Sequence, residues 1–257
     1  MKTLTLIGSQ RKNGNTAQAV QLILDELNAL AERHQVPFEN ETVFLSDLQI
    51  GYCRGCRACF DRGEAFCPVH DDFPALKAKL RAADAVIVAS PVYIADVSGQ
   101  VKTWMDRMAH VNHRPEFAGK CAYAVTTVGS YPSKHSLDTL LTALRAWGFY
   151  VAGKSEFIMG ARMQPEETRA RFGAQAKRAA ASLFSAVHER KFARPSLVGL
   201  IYFSMQQRFW QQTTDRDTID YRYWHERGWV DPACSYYFPH KAGPIKVALA
   251  RGLAAII

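Results

Sequence analysis

Four of the chain's six cysteines lie between positions 53 and 67, in the stretch CRGCRACFDRGEAFCP. Thiols this close can ligate an iron-sulfur cluster, hold zinc, form a redox dithiol pair or simply pack. Zinc favours two C-x2-C pairs joined by a longer arm that closes a tetrahedron. Here three cysteines follow at x2 intervals, the run that winds around a cubane cluster, and Cys67 is followed by Pro68 as in bacterial ferredoxin runs. Gly55 and Ala58 suit tight winding, although the x7 interval before Cys67 is longer than in such runs. The spacing favours Cys53, Cys56, Cys59 and Cys67 as ligands of a [4Fe-4S] cluster, with zinc and metal-free thiols as the alternatives. Arg54, Arg57 and Arg62 would offset the cluster's negative charge and raise its reduction potential; plain surface charge is their simpler role. Cys121 reads as a small core residue, and Cys234 has no evident partner.

A second stretch, GSQRKNGNT from Gly8 to Thr16, could hold an anion. Ser9 offers a hydroxyl, Arg11 a guanidinium, and Asn15 or Thr16 a helix cap. The Walker pattern is excluded because Gly14 is followed by Asn15, and G-x-G-x-x-G is absent. Of His70, Asp71 and Asp72, which follow the cysteines, Asp72 reads as an N-cap ahead of Phe73, with proton relay the lesser alternative. Lys102, Asp106 and Arg107 read as mutual helix support.

The elements that must position these residues alternate. Apolar runs predict strands at Thr3 to Ile7, Thr42 to Leu45, Ala85 to Ala89, Lys120 to Val128 and Tyr150 to Ile158. Amphipathic stretches predict helices at Ala17 to Ala31, Phe73 to Ala82, Gln100 to Ala109, Leu137 to Trp147 and Pro165 to His188. AVIVA, from Ala85 to Ala89, has the continuous apolarity of a strand buried on both faces. The pattern predicts an α/β fold with a parallel sheet covered on both sides, ligands binding at the carboxyl ends of the strands. The loops 8–16, 46–72, 90–99 and 129–136 all follow strands and should converge there.

GSQRKNGNT together with SPVYIADVSGQVKTWMDR, from Ser90 to Arg107, and the cysteine loop between them resembles the flavodoxin-fold NAD(P)H-dependent FMN reductases, and among them the iron-sulfur flavoproteins. The resemblance covers roughly residues 1 to 190. It implies a flavodoxin-like, doubly wound, five-stranded parallel sheet. It places Ser9, Arg11, Asn13, Asn15 and Thr16 around the FMN phosphate, and Pro91, Val92 and Tyr93 along the isoalloxazine. Thr127, Gly129 and Ser130 would make a third, less specific contact. NAD(P)H enters as a co-substrate.

At 257 residues the chain can form a domain, 1–194, with an aromatic-rich C-terminal extension, 195–257, that shows no strand-helix alternation. SLVGLIYFSM and IKVALARGLAAII, in that extension, are too apolar to lie free in water and too short or interrupted to span a bilayer. A homo-oligomer interface is the expected cover, ahead of packing on the chain itself or contact with a membrane surface through Lys246 and Arg251. The net charge of +8 is scattered and points to no nucleic acid. With no secretory pattern near the start and clustered cysteines, a reducing cytoplasm is the expected compartment. The expected function is an FMN-dependent oxidoreductase moving electrons between NAD(P)H or ferredoxin and an acceptor through FMN and the cluster, with no side chain required as acid or base. Its rivals are a cluster-free quinone, nitroaromatic or azo reductase and a zinc-stabilised interaction module.

Overall fold

A computed structural model describes residues 1–131 and 134–256. Five parallel strands lie in the order β2-β1-β3-β5-β6: β1 (Lys2–Ile7), β2 (Glu39–Phe44), β3 (Ala85–Tyr93), β5 (Cys121–Val128) and β6 (Tyr150–Ile158). A short β4 (Asp96–Val97) pairs antiparallel with the end of β3. The chain reverses its winding direction between β1 and β3, the switch point at which such sheets open a crevice.

Both faces are buried, as AVIVA requires. Val86 and Val88 of β3 face the core shared with α3 (Phe73–Ala82), α4 (Gly99–Arg107) and α6 (Lys134–Ala146), while Ala85, Ile87 and Ala89 face that of α1 (Asn15–Arg33) and α7 (Pro165–His188). Period-two alternation therefore sends every residue of the run into one core or the other. A Cβ on Gly153 would lie 2.6 Å from the Tyr123 ring, so a glycine on β6 lets that ring cross the sheet face and bond Ser155 Oγ at 2.9 Å.

The structure departs from the sequence reading in three places. The 90–99 segment is a tight hairpin: β3 continues through Pro91, turns at Ile94 and Ala95 (φ 48° and 62°), and returns as β4. The helix expected from Gln100 to Ala109 breaks at Met108, and α5 (Ala109–His113) follows. The C-terminal extension is helical. Its helices α8 (Leu197–Gln212), α9 (Ile219–Glu226) and α10 (Pro244–Ala254) enclose Phe203, Trp210, Trp224, Trp229 and Tyr237. Ser196 and Thr218 cap α8 and α9 by accepting from Gly199 N and Tyr221 N. The two apolar segments thus cover each other in part, and α10 keeps Ile245, Leu249 and Leu253 exposed, with Ile256 exposed just beyond it. No helix among the described residues is long and apolar enough to cross a membrane.

Candidate functional site

Loop 8–14 and the β3–β4 hairpin are tied together at the switch point. Gly8 N donates to Ala89 O (2.8 Å), Ser98 Oγ donates to Gly8 O (2.7 Å), and Ser98 N donates to Ser90 Oγ (2.9 Å). A Cβ on Gly8 would meet Val101 Cγ2 at 2.1 Å, so only glycine permits this approach. Above it lies a cleft of about 580 Å³ walled by Gly8, Arg11, Tyr52, Tyr93, Ser98 and Gln100. Ser9 is buried, its Oγ accepting from Arg11 N (3.2 Å); Arg11 is exposed, and no ion pair engages its guanidinium among the described residues.

Asn15 and Thr16 do not cap α1; the N-cap is Gly14, without a side-chain bond. Asn15 instead donates to Gly160 O (2.9 Å) and accepts from Met163 N (3.2 Å), and Thr16 Oγ1 meets Thr127 Oγ1 at 2.6 Å. Both are buried and stitch the first loop to the ends of β5 and β6, because a side chain already inside the core bonds whatever the sheet brings to it. Asn13 is exposed, Pro91 is buried, and Tyr93 is exposed at the cleft's rim. Gly129 and Ser130 are exposed beyond β5 and outside the cleft wall, with Gly129 O accepting from Gly160 N (2.8 Å). Pro132 and Ser133 of the 129–136 loop lie outside the described residues.

Cys53, Cys56, Cys59 and Cys67 line a single cavity of about 390 Å³. The loop winds through positive φ at Gly55, Arg57 and Gly63 and forms α2 (Ala58–Asp61) between its second and fourth cysteines. All four thiols are free. Cys53 and Cys56 are exposed, Cys59 and Cys67 half-buried. Burial pushes the Cys59 thiol up, with Arg114 opposing. Four free thiols around one cavity, with buried cations in its wall, form a donor set that suits a thiolate-ligated, negatively charged centre.

Arg107 is one of those cations. It does not support its own helix surface; it is buried, bonding both oxygens of Asp71, Gly51 O (3.1 Å) and Val69 O (3.3 Å), with Nη2 3.8 Å from Cys67 Sγ. Asp71 is consequently a fixed ion-pair partner: burial pushes its carboxyl up, but bonds from Arg107, Gly51 N and Phe73 N outweigh this and lower it. Asp72 sits at the N-cap of α3 but spends its side chain on Gln49 N (2.8 Å).

Glu64, His110 and Glu116 gather as three groups that could hold a cation, and Lys77 fills that place. Its Nζ lies 3.0 Å from Glu64, 2.6 Å from Glu116 and 2.7 Å from His110 Nε2. His110 Nε2 accepts from the ammonium, so the ring's proton sits on Nδ1, which is buried without a partner among the described residues. Burial, then the Lys77 charge, pushes His110 down to about 3; for Glu64 burial pushes up, and Lys77 overrides it to about 2. Arg114 and Arg81 also face His110 and oppose its protonation. A histidine ordinarily near 6.5 is thus protonated only in the unfolded chain as pH falls from about 6.5 towards 3, and its stabilisation is complete above that window. Stability is expected to fall by about 2 kcal/mol between pH 7 and 5, with Glu64 adding to the loss below about 4.5. Urea unfolding at both values checks this; equal midpoints would contradict it.

Lys77, His110, Arg114 and Asp220 were not singled out from sequence, and Arg107 was read there as helix support. The available signal was charge in amphipathic helices, which reads by default as a solvated face.

The parallel sheet, its order and a cleft at the switch point define a flavodoxin-like fold. Residues 1–164 match the NADPH-dependent FMN reductase family, and the chain belongs to it. It is similar to an iron-sulfur flavoprotein of Archaeoglobus fulgidus, 29% identical over 90% of this chain and 100% of that one. It is also 31% identical to an iron-sulfur flavoprotein of Methanosarcina thermophila over 65% of this chain and 85% of that one. Among solved structures it resembles an oxidoreductase from Corynebacterium diphtheriae (TM-score 0.54, 22% identity, 74% of this chain, 98% of that one), a likeness of fold. The protein is an FMN-containing oxidoreductase.

Proposed function

We propose that the chain binds FMN in the switch-point cleft and a [4Fe-4S] cluster on Cys53, Cys56, Cys59 and Cys67, and passes electrons between NAD(P)H or ferredoxin and an acceptor. The observation that carries this reading is the convergence of all four thiols on one cavity adjoining the cleft. Tyr52 faces the cleft and Cys53 the cavity; α4 lends its first turn to one and Arg107 to the other. FMN accepts a hydride or single electrons and a cluster accepts one, so together they exchange two-electron for one-electron transfer.

The chain's own part is binding and placement. Ser9, Arg11 and Asn13 would hold the phosphate on a loop that Asn15 and Thr16 brace from below. Pro91, Val92 and Tyr93 would line the ring, with Thr127, Gly129 and Ser130 beyond β5. Arg11 is exposed and in no ion pair among the described residues, so Arg11→Ala is expected to weaken FMN binding by about 1.5–3 kcal/mol, as for a hydrogen bond to a charged group. Fluorescence quenching of added FMN measures it, and unchanged affinity would remove Arg11 from the site. Under argon, NAD(P)H or reduced ferredoxin should bleach the bound flavin; if neither does, the electron-transfer reading fails.

A homo-oligomer remains part of the proposal through the exposed α10 face. Lys246 Nζ donates to Pro195 O (2.8 Å), and Arg251 Nη2 to Pro232 O (2.7 Å) and Cys234 O (2.9 Å). The basic groups that would grip an anionic membrane are therefore engaged within the chain, which favours a protein partner for that face.

A further inference from the structure

We infer that the C-terminal extension braces the cysteine loop, with Asp220 acting through Arg114 to position Cys59. The link from Cys59 to a metal centre rests on the cluster proposed above; the brace itself does not.

Asp220 and Arg114 are both buried, and a buried ion pair is by itself weak evidence of stabilisation because both charges lose their hydration. What marks this pair is its remaining contacts. Arg114 Nη1 pairs with Asp220 Oδ1, while Nη2 donates to Cys59 O (2.8 Å) and Glu64 Oε2 (3.2 Å). Asp220 Oδ2 meets His113 Nδ1 at 2.7 Å. One carboxylate on α9 thus orients two consecutive side chains, and one of them grips the backbone of the third cysteine.

Apolar contacts run in parallel. The His113 ring lies 4.7 Å from Phe60, next to Cys59, and 5.7 Å from Trp210 of α8, centroid to centroid. Trp224 Nε1 donates to His113 O (2.6 Å) and Tyr223 Oη to Pro115 O (2.8 Å). At Gly63 an added Cβ would lie 3.2 Å from Ile219 Cδ1. The α8–α9 pair therefore closes on the loop from outside the sheet. The two half-buried cysteines are each approached by a buried arginine: Arg107, from the sheet domain, at Cys67, and Arg114, set by the extension, at Cys59. Among the described residues Cys53 and Cys56 have no such grip, and both are exposed.

The test compares the full-length chain with Asp220→Ala, with Asp220→Asn, which keeps shape and one acceptor, and with Asp215→Ala, an exposed position of the same segment. Alkylation of Cys59 by iodoacetamide, read by mass spectrometry relative to Cys53 in chelator-treated, flavin-loaded protein, is expected to rise about tenfold in Asp220→Ala. It should rise less in Asp220→Asn and not at all in Asp215→Ala. In protein as isolated the iron-to-flavin ratio should fall, and after one-electron reduction with dithionite the electron paramagnetic resonance line shape of the residual cluster should change, which lower occupancy alone would not cause. A Cys59-to-Cys53 labelling ratio within about twofold of the parent in both Asp220 variants overturns the brace. Should Asp220→Ala fail to retain flavin, Asp220→Asn decides by the same ratio. If the parent chain carries no iron, the cluster reading fails while the labelling ratio still judges the brace.

Discussion

Chains carrying Cys56→Ser are expected to keep their flavin and lose most of their iron. Cys56 is exposed, so the substitution removes a thiol without opening a hole in any core. No cysteine lines the cleft assigned to FMN, so flavin content serves as an internal measure of folding. A serine hydroxyl is a poor substitute for a thiolate, and iron is expected to fall from about four per chain to below about one. Iron and flavin assays on the same sample check it; iron retained at the parent level with normal flavin would show that Cys56 is not a ligand.

Arg107→Leu should cost the fold stability directly. The side chains of Arg107 and Asp71 are only 3% and 8% exposed, and removing the cation leaves a buried carboxylate that keeps the amides of Gly51 and Phe73 but loses its counter-charge. The carbonyls of Gly51 and Val69 lose their donor as well. Breaking a buried pair from one side costs about 3–5 kcal/mol. Asp71→Asn in the same chain should restore part of the loss, because the stranded charge is then gone. Urea unfolding of the two chains measures this, and an Arg107→Leu midpoint equal to the parent's would mean that the pair does not hold the loop.

The elements that carry their own periodicity were legible in the sequence. AVIVA could only be a strand buried on both sides, and Phe73 to Ala82 is helical at those limits. The four cysteines were legible as a group because their spacing is local, and the fold brings them to one cavity; that they ligate a metal centre is the proposal. What surrounds them was not. Lys77, Arg107 and Arg114 look like ordinary cations on helix faces, and their burial depends on Glu64, Asp71 and Asp220, brought near by the fold from up to 106 positions away. Asn15 and Thr16 were misread as caps for the same reason: local chemistry allowed a cap, and the ends of β5 and β6 offered buried partners instead. In the extension α8 escaped notice because it is apolar around most of its circumference, which hides the 3.6-residue period.

The most direct test of the central claim is the composition of full-length protein purified without oxygen, by absorption spectrum and by iron, acid-labile sulfide, zinc and FMN per chain. Brown protein with about four iron, about four sulfide and about one FMN per chain is expected. Protein that binds FMN but contains no iron, or holds stoichiometric zinc on its thiols, would contradict it.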